Sequence, residues 1–192
     1  MNAKYIKPFL VSAQTVLDTM AEVPLESEKP FLRRDHECYG ELRSLVTLQG
    51  DSVKGQLSIA FDDSLLESAL RKMFGEEDEE GIDQAQAIDA VCELTNMIVG
   101  KANHIFSSQG TRFRYSIPHG MKNQERISDS IGKSVIIPFN SPVGRLYIEI
   151  VFEKKRKQKD QSAQKAKDIS QFIGPRVEIA LTTSLKILKL LR

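Results

Sequence analysis

VIIPFNSPVGRLYIEIVFE, residues 135–153, is the stretch whose reading decides the fold. Two apolar runs, 135–141 and 144–153, flank Ser141–Pro142–Val143–Gly144. That tetrapeptide is a turn sequence, although Pro142 at its second position does not fix the turn type. The runs read as two strands joined by the turn. Toward the N-terminus a second pair has the same form. YGELRSLVTLQG (39–50) and VKGQLSIAF (53–61) alternate apolar and polar positions around Leu42, Val46, Leu48, Leu57, Ile59 and Phe61, with Gly50 and Asp51 between them. The alternation predicts an antiparallel hairpin with one face toward water.

Between and beyond these pairs the apolar period lengthens. Ile6, Phe9, Leu10, Ala13, Val16, Leu17 and Met20 recur at spacings of three and four, which predicts a helix over about 3–22. Pro8 marks its start or a kink, and Pro24 follows its end. DDSLLESALRKMFGEE (62–77) reads as a shorter helix, with Asp62 or Asp63 as the cap, Arg71 and Lys72 in the last turn and Gly75 closing it. A long helix spans about 83–106. Residues 111–132 are polar, with Pro118, Gly120 and Gly132 among them, and read as a loop or an irregular strand. A last helix is predicted over about 175–191, with Pro175 at its first position. The layout is α+β: an antiparallel sheet with two long helices packed on one side, plus an added C-terminal helix.

The chain has 192 residues, of which 41% are hydrophobic and 28% charged, enough apolar material for a core without a disulfide or metal staple. Its net charge of +1 offers no whole-chain argument for nucleic acid or membrane binding. The charge is unevenly placed. Residues 76–80 read EEDEE, the simplest reading of which is a solvated loop, and residues 154–168 carry seven basic and two acidic side chains. That basic segment lacks interleaved aromatics and reads as a solvated helix or linker rather than a nucleic-acid patch. The organisation expected is a domain over 1–153 and an extension over 154–192. The terminal LKILKLLR has a basic amphipathic character that suits a membrane surface, but its narrow apolar stripe suits a helix partner better. Cys38 and Cys92 form no CxxC pair and read as structural thiols in a reducing compartment. Without a signal-peptide pattern or a long apolar run, the expected location is cytoplasmic. His36, His104 and His119 share no ligand spacing with Cys or paired carboxylates, so no metal site is expected. Phosphate-binding GxxxxGK[ST] and nucleophilic GxSxG patterns are absent.

The long helix carries the functional signal. Laid out at about 100° per residue, Ile88, Val91, Thr95, Ile98, Val99, Ala102, Ile105 and Phe106 form a broad side that must meet the sheet. Asp89, Glu93, Asn96, Gly100, Asn103 and Ser107 form a narrow stripe away from it, small or polar throughout and without Lys or Arg. Asn and Gly are poor helix formers, and Gly costs about 1 kcal/mol against Ala. Either tertiary packing alone carries these residues, or another surface closes on the stripe.

DAVCELTNMIVGKAN (89–103) resembles the ExxN signature of the CheC/CheX/FliY phosphatases of bacterial chemotaxis, with the likeness strongest to CheX. The resemblance extends to the first helix, to VKGQLSIAF, MFGEE and VIIPFNSPVGRLYIEIVFE in the same order, and covers about residues 1–153. It implies a CheC/CheX-like fold and hydrolysis of the aspartyl phosphate of a CheY-like response regulator. It also implies roles: Asn96 orients the attacking water, Glu93 pairs with the receiver's active-site lysine, and Asp89, Gly100 and Asn103 meet the partner. The chain needs no cofactor of its own, since Mg²⁺ belongs to the receiver. One ExxN helix per chain resembles CheX, whose members are homodimers built through the sheet. The alternative is a CheX-like module that binds or scaffolds a receiver or a flagellar assembly without catalysis, a reading favoured by the unusual C-terminus. Two departures from the family pattern stand out: the 154–192 extension and the polar SIPHGMKNQERISDS (116–130).

Overall fold

The structure is a computed structural model of the chain that describes residues 3–33, 39–51, 53–74, 83–122 and 134–154. The chain divides into two units, Met1–Lys155 and Arg156–Arg192, and the described residues all lie in the first. The expected C-terminal helix, the basic segment beyond Lys154, the acidic 76–80 run, Gly75, His36 and Cys38 lie outside the described residues.

After a short 3-10 turn (Ala3–Tyr5), the described elements are α1 (Lys7–Ala21), β1 (Glu26–Ser27), β2 (Phe31–Leu32), β3 (Leu42–Gly50), β4 (Val53–Phe61), α2 (Asp63–Phe74), α3 (Gln84–Ser108), β5 (Phe113–Tyr115), β6 (His119–Lys122), β7 (Val135–Ser141) and β8 (Gly144–Lys154). The first helix thus begins at Lys7, with Pro8 in its first turn, where a missing N–H costs no intrahelical bond.

All strand pairs are antiparallel, in the order β1-β7-β8-β4-β3-β5. Register converts the alternating sequence into rows. Leu42, Phe61, Leu146 and Phe139 line up across β3, β4, β8 and β7. Val46, Leu57, Ile150 and Val135 form a parallel row. Between them Ser44 joins Ile59, Ile148 and Ile137. These side chains share one core with Phe9, Ala13, Val16 and Leu17 of α1, Leu65, Leu66, Ala69 and Leu70 of α2, and Leu94, Ile98, Ala102 and Phe106 of α3. Ser44 is the polar exception in its row, and its hydroxyl hydrogen-bonds the buried Thr95 hydroxyl of α3, so neither is orphaned.

The opposite face departs from the expected wet surface. Arg33, Arg43, Ser58, Ala60, Ile136 and Glu149 are buried there. Arg33 Nη1 meets Glu149 Oε2 at 2.6 Å, and Tyr39 packs on Tyr147 beside them. Burying a charge is costly unless it is paired, so this ion pair is what lets Arg33 and Glu149 lie buried on the second face of the sheet.

Both edges of the sheet are broken. Outside β7 lie the two-residue strands β1 and β2, and outside β3 lie β5 and β6. Short, interrupted edges resist edge-to-edge pairing. Of the loop or irregular strand expected for residues 111–132, the described part is an interrupted strand: 113–115 and 119–122 pair with β3. The interruption at 116–118 forms one wall of the candidate site.

Candidate functional site

Helix α3 is started firmly. Asp83 accepts a hydrogen bond from the Gln86 N–H while the Gln86 side chain accepts one from the Asp83 N–H, a reciprocal capping box. The helix buries Ala90, Val91, Leu94, Thr95, Ile98, Val99, Ala102 and Phe106. Packing therefore fixes the rotation of the helix and turns Asp89, Glu93 and Asn96 outward, where all three are exposed.

The stripe has two fates. Its N-terminal half stays open: Asp89, Cys92, Glu93 and Asn96 line a cleft of about 280 Å³. Among the described residues, no Lys or Arg lines it. Among the described residues, no hydrogen bond or ion pair engages the Glu93 or Asn96 side chain. The C-terminal half is covered by the chain's own edge strand. The Asn103 carboxamide oxygen accepts a hydrogen bond from the Phe113 N–H at 3.2 Å. The Tyr115 hydroxyl lies 3.6 Å from where a β-carbon on Gly100 would stand.

The second wall of the cleft, Tyr115, Ser116, Ile117 and Pro118, was not legible as a site in the sequence. It is held against the sheet by a pair of bonds: the Thr47 N–H donates to the Ser116 hydroxyl and the Ser116 N–H donates to the Thr47 carbonyl. Just beyond, Gly120 approaches α3 so closely that an added β-carbon would sit 2.6 Å from a methyl of Ile88 and 2.9 Å from Cys92 Sγ. A side chain at 120 would push the wall off the helix. The one signal for this wall was an isoleucine followed by proline in an otherwise polar run.

Burial pushes the Cys92 thiol up from its ordinary pKa, and the Asp89 carboxylate adds to the shift, while a hydrogen bond with the Gly120 backbone opposes it. The thiol stays protonated and is a poor nucleophile. The cleft offers the carboxylates of Asp89 and Glu93 and, one turn from Glu93 on the same rigid helix, the Asn96 carboxamide. The carboxylate can pair with a cation on a partner, and the carboxamide can orient a water without needing to ionise.

The family model described as Chemotaxis phosphatase CheX matches residues 43–140. Among solved structures, a CheC-like superfamily protein from Shewanella sp. PV-4 is 39% identical, with 80% of this chain and 99% of that chain covered and a TM-score of 0.71. The chemotaxis protein CheX from Vibrio vulnificus is 32% identical over 78% of this chain and 99% of that one, at a TM-score of 0.69. The Borrelia burgdorferi CheX solved in a CheX–CheY–BeF3–Mg²⁺ complex is 25% identical over 78% and 97%, at 0.63. No curated protein matches the chain. Fold, order of elements and sequence agree: the chain belongs to the CheX family of chemotaxis phosphatases, within the CheC/CheX/FliY group.

Proposed function

We propose that the protein hydrolyses the aspartyl phosphate of a CheY-like receiver, in the cytoplasm, with α3 laid over the receiver's phosphorylation pocket. The observation that carries this reading is the pair Glu93 and Asn96, exposed and unengaged one turn apart at the mouth of the cleft. Phosphoryl transfer passes through a loose transition state, so the catalyst mainly positions the nucleophile. The Asn96 carboxamide holds a water in line with the phosphorus. The water's oxygen bonds to phosphorus as the bond to the aspartyl oxygen breaks, giving a free carboxylate and inorganic phosphate. Glu93 forms a charge-assisted bond to the receiver's lysine and sets the register. Asp89 flanks it, and the half-exposed Gly100 gives the partner's rim room beside Asn96, while Asn103, taken by the Phe113 N–H, reaches the partner only through the edge strand that it holds. Among the described residues no three His, Cys, Asp or Glu side chains cluster to hold a metal. The Mg²⁺ in this scheme belongs to the receiver, and Borrelia CheX was solved with CheY and Mg²⁺.

The test is phosphate release from a phosphorylated CheY-type receiver. Asn96→Ala is expected to lower stimulated kcat on the order of 10²–10³-fold with the fold intact. Glu93→Ala is expected to raise KM, with an effect that shrinks at high salt. Receiver binding without acceleration by the wild type would instead identify a scaffold. The chain is also proposed to act as a homodimer, a reading supported by the exposed Phe31 and Leu32 on the β7 edge. A monomeric mass in light scattering would refute it.

A further inference from the structure

We propose that the 115–118 turn is a second receiver-docking element, with Ile117 as its apolar anchor. The inference rests on the phosphatase reading of the cleft and adds a residue that reading does not use. Ile117 is 90% exposed, the largest exposure of any large hydrophobic side chain among the described residues. It lines the same cleft as Glu93 and Asn96, so a body that fills that cleft meets all three residues.

The exposure is built into the backbone. Ser116 is clasped to Thr47 by two hydrogen bonds on one side of Ile117. On the other side Pro118 lines the cleft and Gly120 is seated on α3. A residue before proline is held extended, and a β-branched side chain has few rotamers. Burying Ile117 under a partner therefore costs little conformational entropy, the property that distinguishes an anchor from a floppy contact.

Charge gives the reason for an apolar anchor. Among the described residues, the cleft presents the carboxylates of Asp89 and Glu93 and no basic side chain. A phosphorylated partner is itself anionic at the point of contact. One lysine on the partner satisfies Glu93, but the remaining charges repel, so affinity has to come from contact that is indifferent to charge. The occupant that fits is a receiver domain with a lysine at its phosphorylation pocket and an apolar patch on the rim beside it.

The experiment measures the Kd for a CheY-type receiver in its Mg²⁺–beryllofluoride form, and KM and kcat for the phosphorylated receiver. Ile117→Ala is expected to raise Kd and KM about tenfold while leaving kcat unchanged. Ile117→Leu is expected to restore affinity. The Kd shift is expected to persist at high salt, unlike that of Glu93→Ala. Val143→Ala, a partly exposed hydrophobe in the β7–β8 turn outside the cleft, is the control and is expected to have no effect. Unchanged Kd and KM in Ile117→Ala would overturn the anchor while Asn96→Ala still tests the chemistry. Receiver binding that Ile117→Ala weakens, without any acceleration by the wild type, would keep the docking element and sink the phosphatase reading. No receiver binding at all would sink both.

Discussion

The Asn103 carboxamide oxygen accepts the Phe113 N–H at 3.2 Å, and this bond ties the exposed stripe of α3 to the edge strand that carries the far wall of the cleft. Asn103 lies on the same stripe as the Glu93–Asn96 pair, so one helix both presents that pair and positions the opposite wall. Asn103→Ala leaves a half-buried backbone donor unsatisfied, and an expected loss of about 1–3 kcal/mol follows. Urea denaturation measures it. Because β5 leads directly into the 115–118 turn, the variant is also expected to raise KM for the phosphorylated receiver more than it lowers kcat. A variant as stable as wild type would show that the bond holds nothing.

Gly100 tests the cost of keeping the stripe low. A β-carbon there meets only the Tyr115 hydroxyl at 3.6 Å, an ordinary contact, so Gly100→Ala fits without displacing backbone. Alanine in a helix interior is favoured over glycine by about 0.5–1 kcal/mol. The expected outcome is a protein more stable by that amount with a raised KM, since the half-exposed flank beside Asn96 is where the receiver closes in. Higher stability with unchanged KM would assign Gly100 to Tyr115 alone.

Acid titration tests the base of α2. Asp62 accepts the Arg145 N–H, and Glu41 accepts the Asp63 N–H. Burial raises the pKa of both carboxyls. The Asp63 and Asp62 charges add to the shift at Glu41, and the backbone hydrogen bonds oppose it at both sites. A carboxyl whose folded pKa lies above its unfolded value binds its proton more tightly in the folded state. Its stabilisation is complete below the unfolded value, near pH 4, and is lost as pH rises through the folded value. Glu41→Gln keeps the acceptor and removes the charge. It is therefore expected to be more stable than wild type at pH 7, with the difference closing as pH falls toward about 4. A difference independent of pH would place the effect in packing instead.

Local periodicity carried much of the structure. The 3.6-residue spacing of Val91, Leu94, Ile98 and Ala102 set which side of α3 is buried, and so turned Glu93 and Asn96 outward together. Two-residue alternation in β3 and β4, together with the apolar runs of β7 and β8, set the rows of the core, because each strand presents an apolar face whatever it pairs with. Both are properties of short segments, and the family resemblance lay on the same segments.

The edge strands, the buried ion pair and the far wall of the cleft were decided in three dimensions. Residues 113–122 mix polar and apolar side chains without a clear period and pair on one side only, with a strand about 70 positions earlier in the chain. Read alone they fit a loop or an irregular strand equally; the free edge of β3 makes them strands. Arg33 and Glu149 are 116 residues apart and read singly as surface charges until the fold buries them together. Ile117 looks in the sequence like a stray hydrophobe. Only the clasp of Ser116 on Thr47 and the seat of Gly120 against α3 hold it out beside Asn96. A segment's own periodicity sets which way its side chains face, whereas contacts between distant segments are settled only when the whole core closes.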